Sequence, residues 1–191
     1  MNASEHIVES YFRFCRGCFT FSDRKVVRGI NRQLDLLAYN LKEMSQFHVE
    51  ISVTHRKNWC PTREELGQEF EKKFFGAPPA RASKTGGKTD SEKGKSFFPQ
   101  IEETYREVGF SPADVKRVWV CWVVKGEEDS KSLVLLFPSK RLNKTFEIEV
   151  LSLRNCVLPE LKNAVETANY DDEILRTLGF IKQCELQTAV T

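Results

Sequence analysis

The stretch "NRQLDLLAYNLKEMSQFHVEISVTH", Asn31 to His55, decides the fold. It holds two apolar runs, "RQLDLLAYN" and "QFHVEISVTH", joined by a short polar loop around Lys42 and Glu43, and reads as two strands. Each run carries one acid in its middle, Asp35 and Glu50. A carboxylate on a strand that builds a core is costly unless its charge is compensated. If the strands pair about a turn centred between Lys42 and Glu43, both acids lie seven and a half positions from that centre. In an antiparallel ladder they are then directly opposite, with β-carbons about 4.5–5.5 Å apart. Like charges so placed repel, so either a cation joins them or one keeps its proton.

Around this hairpin the chain alternates helices and strands. "SEHIVESYFRFCRG" has Ile7, Val8, Tyr11, Phe12 and Cys15 at helical spacing, predicting a helix over about 4–16 with Ser4 as N-cap. "CFTFSDRKVV" reads as a strand, ended by Gly29 and Asn31. "PTREELGQEFEKKFF" opens with Pro61 and repeats Leu66, Phe70 and Phe74, a second helix. Residues 77–96 contain only small and polar side chains apart from prolines, and read as a flexible, lysine-rich loop or insertion. "PQIEETYREVGF" reads as a helix and "VKRVWVCWVVK" as a strand. "KTFEIEVLSL" is a further strand, and "SLVLLFP" is a strand or a short helix. "LPELKNAVETA" and "DDEILRTLGFIKQ" close the chain as helices, the last begun by Asp171 and stopped near Gly179. No internal repeat is present, and the expected fold is a single α/β (α+β) domain over residues 1–191.

The bulk composition fits that reading. The chain has 191 residues, enough for one well-buried core, with 40% hydrophobic and 29% charged residues. A net charge of +2 is too mild to argue for nucleic acid by itself. No apolar run reaches the roughly 20 residues of a membrane helix. "MNASEHIVES" lacks the basic and apolar regions of a signal peptide, which leads us to expect a cytoplasmic protein. The six cysteines then read as reduced thiols. "CRGC" at Cys15–Cys18 has neither a second pair nor nearby histidines for zinc, and reads as a helix end with Gly17 as its C-terminal cap.

A divalent metal is the simplest cation to join Asp35 and Glu50, and carboxylates with a main-chain carbonyl and waters suit Mg²⁺ or Mn²⁺. The first helix offers a third acid, Glu9, beside Val8 and Phe12. Helix with Glu9, strand, strand with Asp35, strand with Glu50, then helix, over roughly residues 4–75, resembles the PD-(D/E)xK nuclease superfamily. That resemblance implies a restriction-endonuclease-like fold, a central mixed β-sheet flanked by helices. It implies Asp35, Glu50 and the carbonyl of Ile51 as metal ligands, with Glu9 as an auxiliary acid. The implied function is metal-dependent endonuclease hydrolysis of DNA phosphodiester bonds, with DNA as partner and a homodimer among the assemblies open to it.

The family's lysine would fall two residues after Glu50, where this chain has Ser52. Gln33, on Asp35's face by the period of two, Lys25 on the preceding strand, and Lys72 or Lys73 on the following helix are candidate replacements. Ser52 as a nucleophile needs an adjacent base, and the sequence shows none. The missing lysine motivates the alternative, a catalytically inactive nuclease-fold protein that binds nucleic acid or a protein. The bland reading pairs Asp35 with Arg32 or Lys42 and Glu50 with Lys25 or His48, and leaves His48 and His55 as edge or loop residues. "HRKNW" (55–59), the loop lysines (84–95) and "SKRLNK" (139–144) are candidate phosphate-tracking segments or solvated faces.

Overall fold

The structure, a computed structural model, describes residues 2–28, 32–53, 60–77 and 96–188. Its elements run α1 (Ala3–Phe14), β1 (Cys18–Lys25), β2 (Gln33–Asn40), β3 (Ser45–Ile51), α2 (Arg63–Lys73), α3 (Phe98–Glu107), β4 (Val115–Cys121), β5 (Ser132–Ser139), β6 (Lys144–Ser152), a π-helical turn (Leu153–Val157), α4 (Leu158–Ala164) and α5 (Glu173–Thr188). The strands form one mixed sheet in the order β1-β2-β3-β4-β6-β5. β1, β2 and β3 are an antiparallel meander, β4 joins β3 and β6 in parallel, and β5 is antiparallel to β6. Parallel neighbours need a crossover, and between β3 and β4 the chain contributes α2 and α3.

Strand alternation sorts the core into two faces. Leu36, Ala38, Phe47, Val49, Val118, Val120 and Leu151 meet Val8, Tyr11 and Phe12 of α1 and the buried Cys156 and Val157. On the other face Trp119, Cys121, Ile148 and Val150 meet Leu66, Phe70, Phe74 and Phe75. Ile101 and Tyr105 of α3 close the remainder against Leu37 and Val115. Each fully buried large side chain contributes about 1.5–3 kcal/mol, so the Leu66–Phe70–Phe74 stripe alone is enough to seat α2. α2 is also well started, because Thr62 accepts the Glu65 N–H and the Glu65 carboxylate accepts the Thr62 N–H.

Several boundaries differ from the sequence expectation. α1 is capped by Asn2, whose side chain accepts the Glu5 N–H at 3.0 Å, rather than by Ser4. β3 stops at Ile51, short of the apolar run, and "SLVLLFP" is a strand. α5 is capped by Asp172, which accepts from the N–H groups of Ile174 and Leu175. It also runs through Gly179, where a β-carbon would lie 3.3 Å from the Glu166 carbonyl oxygen. That glycine makes room for a crossing backbone and does not end the helix. Gly17, at φ +62°, lies just past the α1 cap Cys15, as a C-terminal glycine should.

The sheet has two outer strands. β5 lines the core with Leu133, Leu135 and Phe137 while Val134 and Leu136 stay exposed. No described helix is long and apolar enough to cross a membrane. The loop read at 77–96 and the segment "HRKNW" lie almost wholly outside the described residues.

Candidate functional site

β2 and β3 pair in the register Leu36↔Val49, Leu37↔His48, Ala38↔Phe47, and their ladder ends at Leu36↔Val49. One step further the same register sets Asp35 opposite Glu50. There the Asp35 carboxylate replaces the strand, and its Oδ2 accepts the Ile51 N–H at 2.8 Å. A strand residue turns its N–H and C=O toward the same neighbour, so the Ile51 carbonyl also faces the Asp35 side.

Glu50 shares a sheet face with His48 and Trp119, under α2, and is fully buried. Its Oε1 lies 2.8 Å from His48 Nε2. Its Oε2 lies 2.7 Å from Lys73 Nζ, an ion pair with one buried and one half-exposed member. The same ammonium is 3.6 Å from Asp35 Oδ2. Lys73 gets there because it follows Phe70 by three residues and precedes Phe74 by one, which puts it on the flank of the buried stripe. Arg32 holds the end of α2 in place, donating from Nη2 to the Lys72 carbonyl at 2.6 Å and the Ala77 carbonyl at 3.3 Å. Its guanidinium lies 5.6 Å from the Phe97 ring centroid, and a cation at a helix C-terminus complements the helix dipole.

The charges follow from this geometry. Burial, then the Glu50 charge, push the Asp35 carboxyl up to about 7, against the pull of Lys73 and the Ile51 N–H. Burial alone would raise Glu50 too, but the His48 hydrogen bond and Lys73 outweigh it and hold Glu50 below the usual carboxylate range. For Lys73 burial acts downward, yet the charges of Glu50 and Asp35 carry it above its ordinary value. Burial holds His48 below the usual imidazole range in spite of Glu50. His48 is therefore neutral, and its contact with Glu50 is a hydrogen bond rather than an ion pair. Near neutral pH the site contains an ionised Glu50, a charged Lys73 and an Asp35 poised between its two forms.

The expected residues do not all meet here. Asp35, Glu50 and Ile51 come together, and of the replacement candidates Lys73 joins them. Gln33 is exposed at the start of β2 and donates to Asp23. Lys25 pairs with Gln33 at the far end of β1. Lys72 is held by Glu69. Glu9 belongs to α1, which covers the other sheet face, and accepts from the Thr20 hydroxyl at 2.7 Å. It lines an open cleft of about 640 Å³ with Arg13, Phe19 and Asp172, away from Lys73. Ser52 is exposed just beyond β3, its N–H donating to the Val120 carbonyl at 2.9 Å. With Trp119, Glu65 and Glu69 it lines an open cleft of about 420 Å³ at the start of α2. The bland pairing of Glu50 with His48 is present, but His48 is wholly buried in the sheet rather than at an edge, and Tyr105 was given no role. The signal available was a histidine two residues before Glu50, hence on the same face of a strand with apolar neighbours.

Whether a divalent cation suits this site can be judged from its donors. Among the described residues no group of three or more His, Cys, Asp or Glu side chains is arranged to hold a metal. The donor set is instead two carboxylates and a main-chain carbonyl, all hard oxygens of the kind Mg²⁺ takes. Glu50 Oε2 is buried against the Lys73 ammonium, and Asp35 keeps 16% of its side chain open to solvent. Two carboxylates side by side, one of them partly open to solvent, are a donor set that a cation completed by water can take, with the Lys73 ammonium as its neighbour. No known family model, curated protein or solved structure matches the chain.

Proposed function

We propose that the chain is a metal-dependent nuclease of the restriction-endonuclease-like kind, hydrolysing DNA phosphodiester bonds. The observation that carries this reading is the convergence of Asp35, Glu50 and Lys73 where the β2–β3 ladder ends. The helix–strand–strand–strand–helix order and the mixed sheet support it.

Asp35, Glu50 and the Ile51 carbonyl would hold a Mg²⁺ or Mn²⁺ ion, which when bound polarises a phosphoryl oxygen and makes its water a nucleophile near neutral pH. Lys73 supplies, from a helix, the positive charge that Ser52 lacks. Held against both acids, its ammonium stabilises the negative charge that grows on phosphorus oxygens as the bond breaks. Asp35, ionised above about pH 7, provides the second anionic ligand.

The test is cleavage of plasmid and of single- and double-stranded oligonucleotides with Mg²⁺ or Mn²⁺, for the wild type and for Asp35→Ala and Glu50→Ala. We expect metal-dependent products that either substitution abolishes, and cleavage surviving both removes the assignment.

One observation favours a second reading, a non-catalytic protein that binds nucleic acid or a protein. Lys73 already compensates the Glu50 charge and His48 satisfies its other oxygen, so the site is settled without an ion. That reading expects salt-sensitive DNA binding and no turnover with any divalent metal.

A further inference from the structure

A buried carboxylate directs only the oxygen that its neighbours leave free. Glu50 is wholly buried, as are His48 and Tyr105. Tyr105 comes from α3, some fifty residues along the chain, and its hydroxyl lies 2.6 Å from His48 Nδ1. His48 Nε2 lies 2.8 Å from Glu50 Oε1.

We propose that His48 and Tyr105 are positioning residues for Glu50, a buried relay that fixes Oε1 and so turns Oε2 toward Lys73 as the oxygen offered to a divalent cation. The inference rests on the metal-dependent reading above. Its internal logic is donor arithmetic. Glu50, paired with the Lys73 ammonium, is a carboxylate and can only accept. His48 Nε2 must then carry the hydrogen. In a neutral ring Nδ1 is left as acceptor, and the Tyr105 hydroxyl donates to it. Each group in the chain has one role, and the tautomer is set from outside the ring.

The relay is rigid because its members are packed from three elements. The Phe74 ring of α2 stands edge-on to the imidazole at 4.9 Å between centroids, and the Tyr105 ring does so at 5.6 Å. α3 is itself tied down, with Ile101 and Tyr105 in the core and Thr104 accepting the Val27 N–H at 3.0 Å. A histidine that fixes a ligand's orientation in this manner acts at one remove from the cation, as hydrogen-bonded partners of metal ligands do.

Two measurements test the proposal without using activity. The first is the side-chain ¹⁵N NMR spectrum of His48 in the metal-free protein, where we expect a neutral ring with hydrogen on Nε2. A hydrogen on Nδ1, or an imidazolium at neutral pH, overturns the relay. The second is Mn²⁺ affinity, read from the electron paramagnetic resonance of the free ion, for the full chain and three variants. His48→Leu fills the space without a donor, His48→Gln keeps an N–H near Nε2, and Tyr105→Phe loses only the hydroxyl. We expect affinity to fall about 10–100-fold in His48→Leu and about 3–10-fold in Tyr105→Phe, and to recover to within about threefold in His48→Gln. Wild-type affinity in folded His48→Leu and in Tyr105→Phe, with Glu50→Gln impaired, overturns this inference and leaves the metal site standing. A wild type that takes up no Mn²⁺ removes the metal reading itself. If His48→Leu does not fold, Tyr105→Phe and the NMR spectrum decide.

Discussion

Lys73 neutralises Glu50 across the boundary between a helix and a sheet, its Nζ 2.7 Å from a carboxylate oxygen that is wholly buried. Removing one member of such a pair strands the other. For a fully buried pair the cost is about 3–5 kcal/mol. Lys73 is 37% exposed, so water offsets part of it, and we expect Lys73→Ala to lower the unfolding free energy by about 1–3 kcal/mol in urea titrations. Under the nuclease reading the same change abolishes cleavage while leaving DNA binding within a few-fold of wild type.

Ser52 sits on Glu50's strand face, one residue past the end of β3, and is exposed. Ser52 opens onto the cleft at the start of α2, and a lysine there reaches back along the strand face toward Glu50, whereas Lys73 approaches from the helix end. Under the nuclease reading we expect Ser52→Lys to restore part of the cleavage lost in Lys73→Ala. A double variant as inactive as Lys73→Ala would show that the helix supplies more than charge.

Asp35 gives the protein a pH signature. Its carboxyl titrates at about 7 in the fold against 3.8 ordinarily, so between those values the folded state holds a proton that the unfolded chain has lost. The stabilisation is complete below the lower value and is lost as pH rises through the upper one. Asp35→Asn removes this dependence. We expect it to be about 2–4 kcal/mol more stable, relative to wild type, at pH 8 than at pH 4. Under the metal-dependent reading Mg²⁺ would compete with the same proton, and its stabilising effect should emerge as pH rises past 7 and vanish near pH 5.

Phe74 joins the core to the site. It is fully buried, touching Phe70, Phe75 and Trp119 and lying edge-on to His48. Phe74→Ala should cost about 3–5 kcal/mol in chemical denaturation. Phe74→Leu should cost less and retain the helix end that carries Lys73.

The β2–β3 register was legible to within a residue or two. The polar loop at Lys42 and Glu43 indicates the turn's centre, but without an Asn-Gly or Gly-Gly signal it leaves a slip open, and the structure has the symmetric pairing. The mixed α/β class was legible from the alternation of strand-like and helical periods. Lys73 was only half legible, because its role depends on the rotation of α2, which Leu66, Phe70 and Phe74 indicate but do not fix against a sheet. His48 was half legible: its pairing with Glu50 follows from the period of two, but its burial depends on Tyr105, which is remote in sequence, and a hydrogen bond across that gap leaves no periodic trace. The stop assigned to Gly179 failed for a local reason: the residue is small to admit a neighbouring backbone, not to turn the chain.

The outer margin of β5 bears on handling. Among the described residues β5 pairs with β6 alone, and Val134 and Leu136 are exposed along it, a template on which further copies can stack when stocks are concentrated. Leu136→Lys should keep such stocks clear, and with β6 and β4 between it and β3 it does so without disturbing the acids.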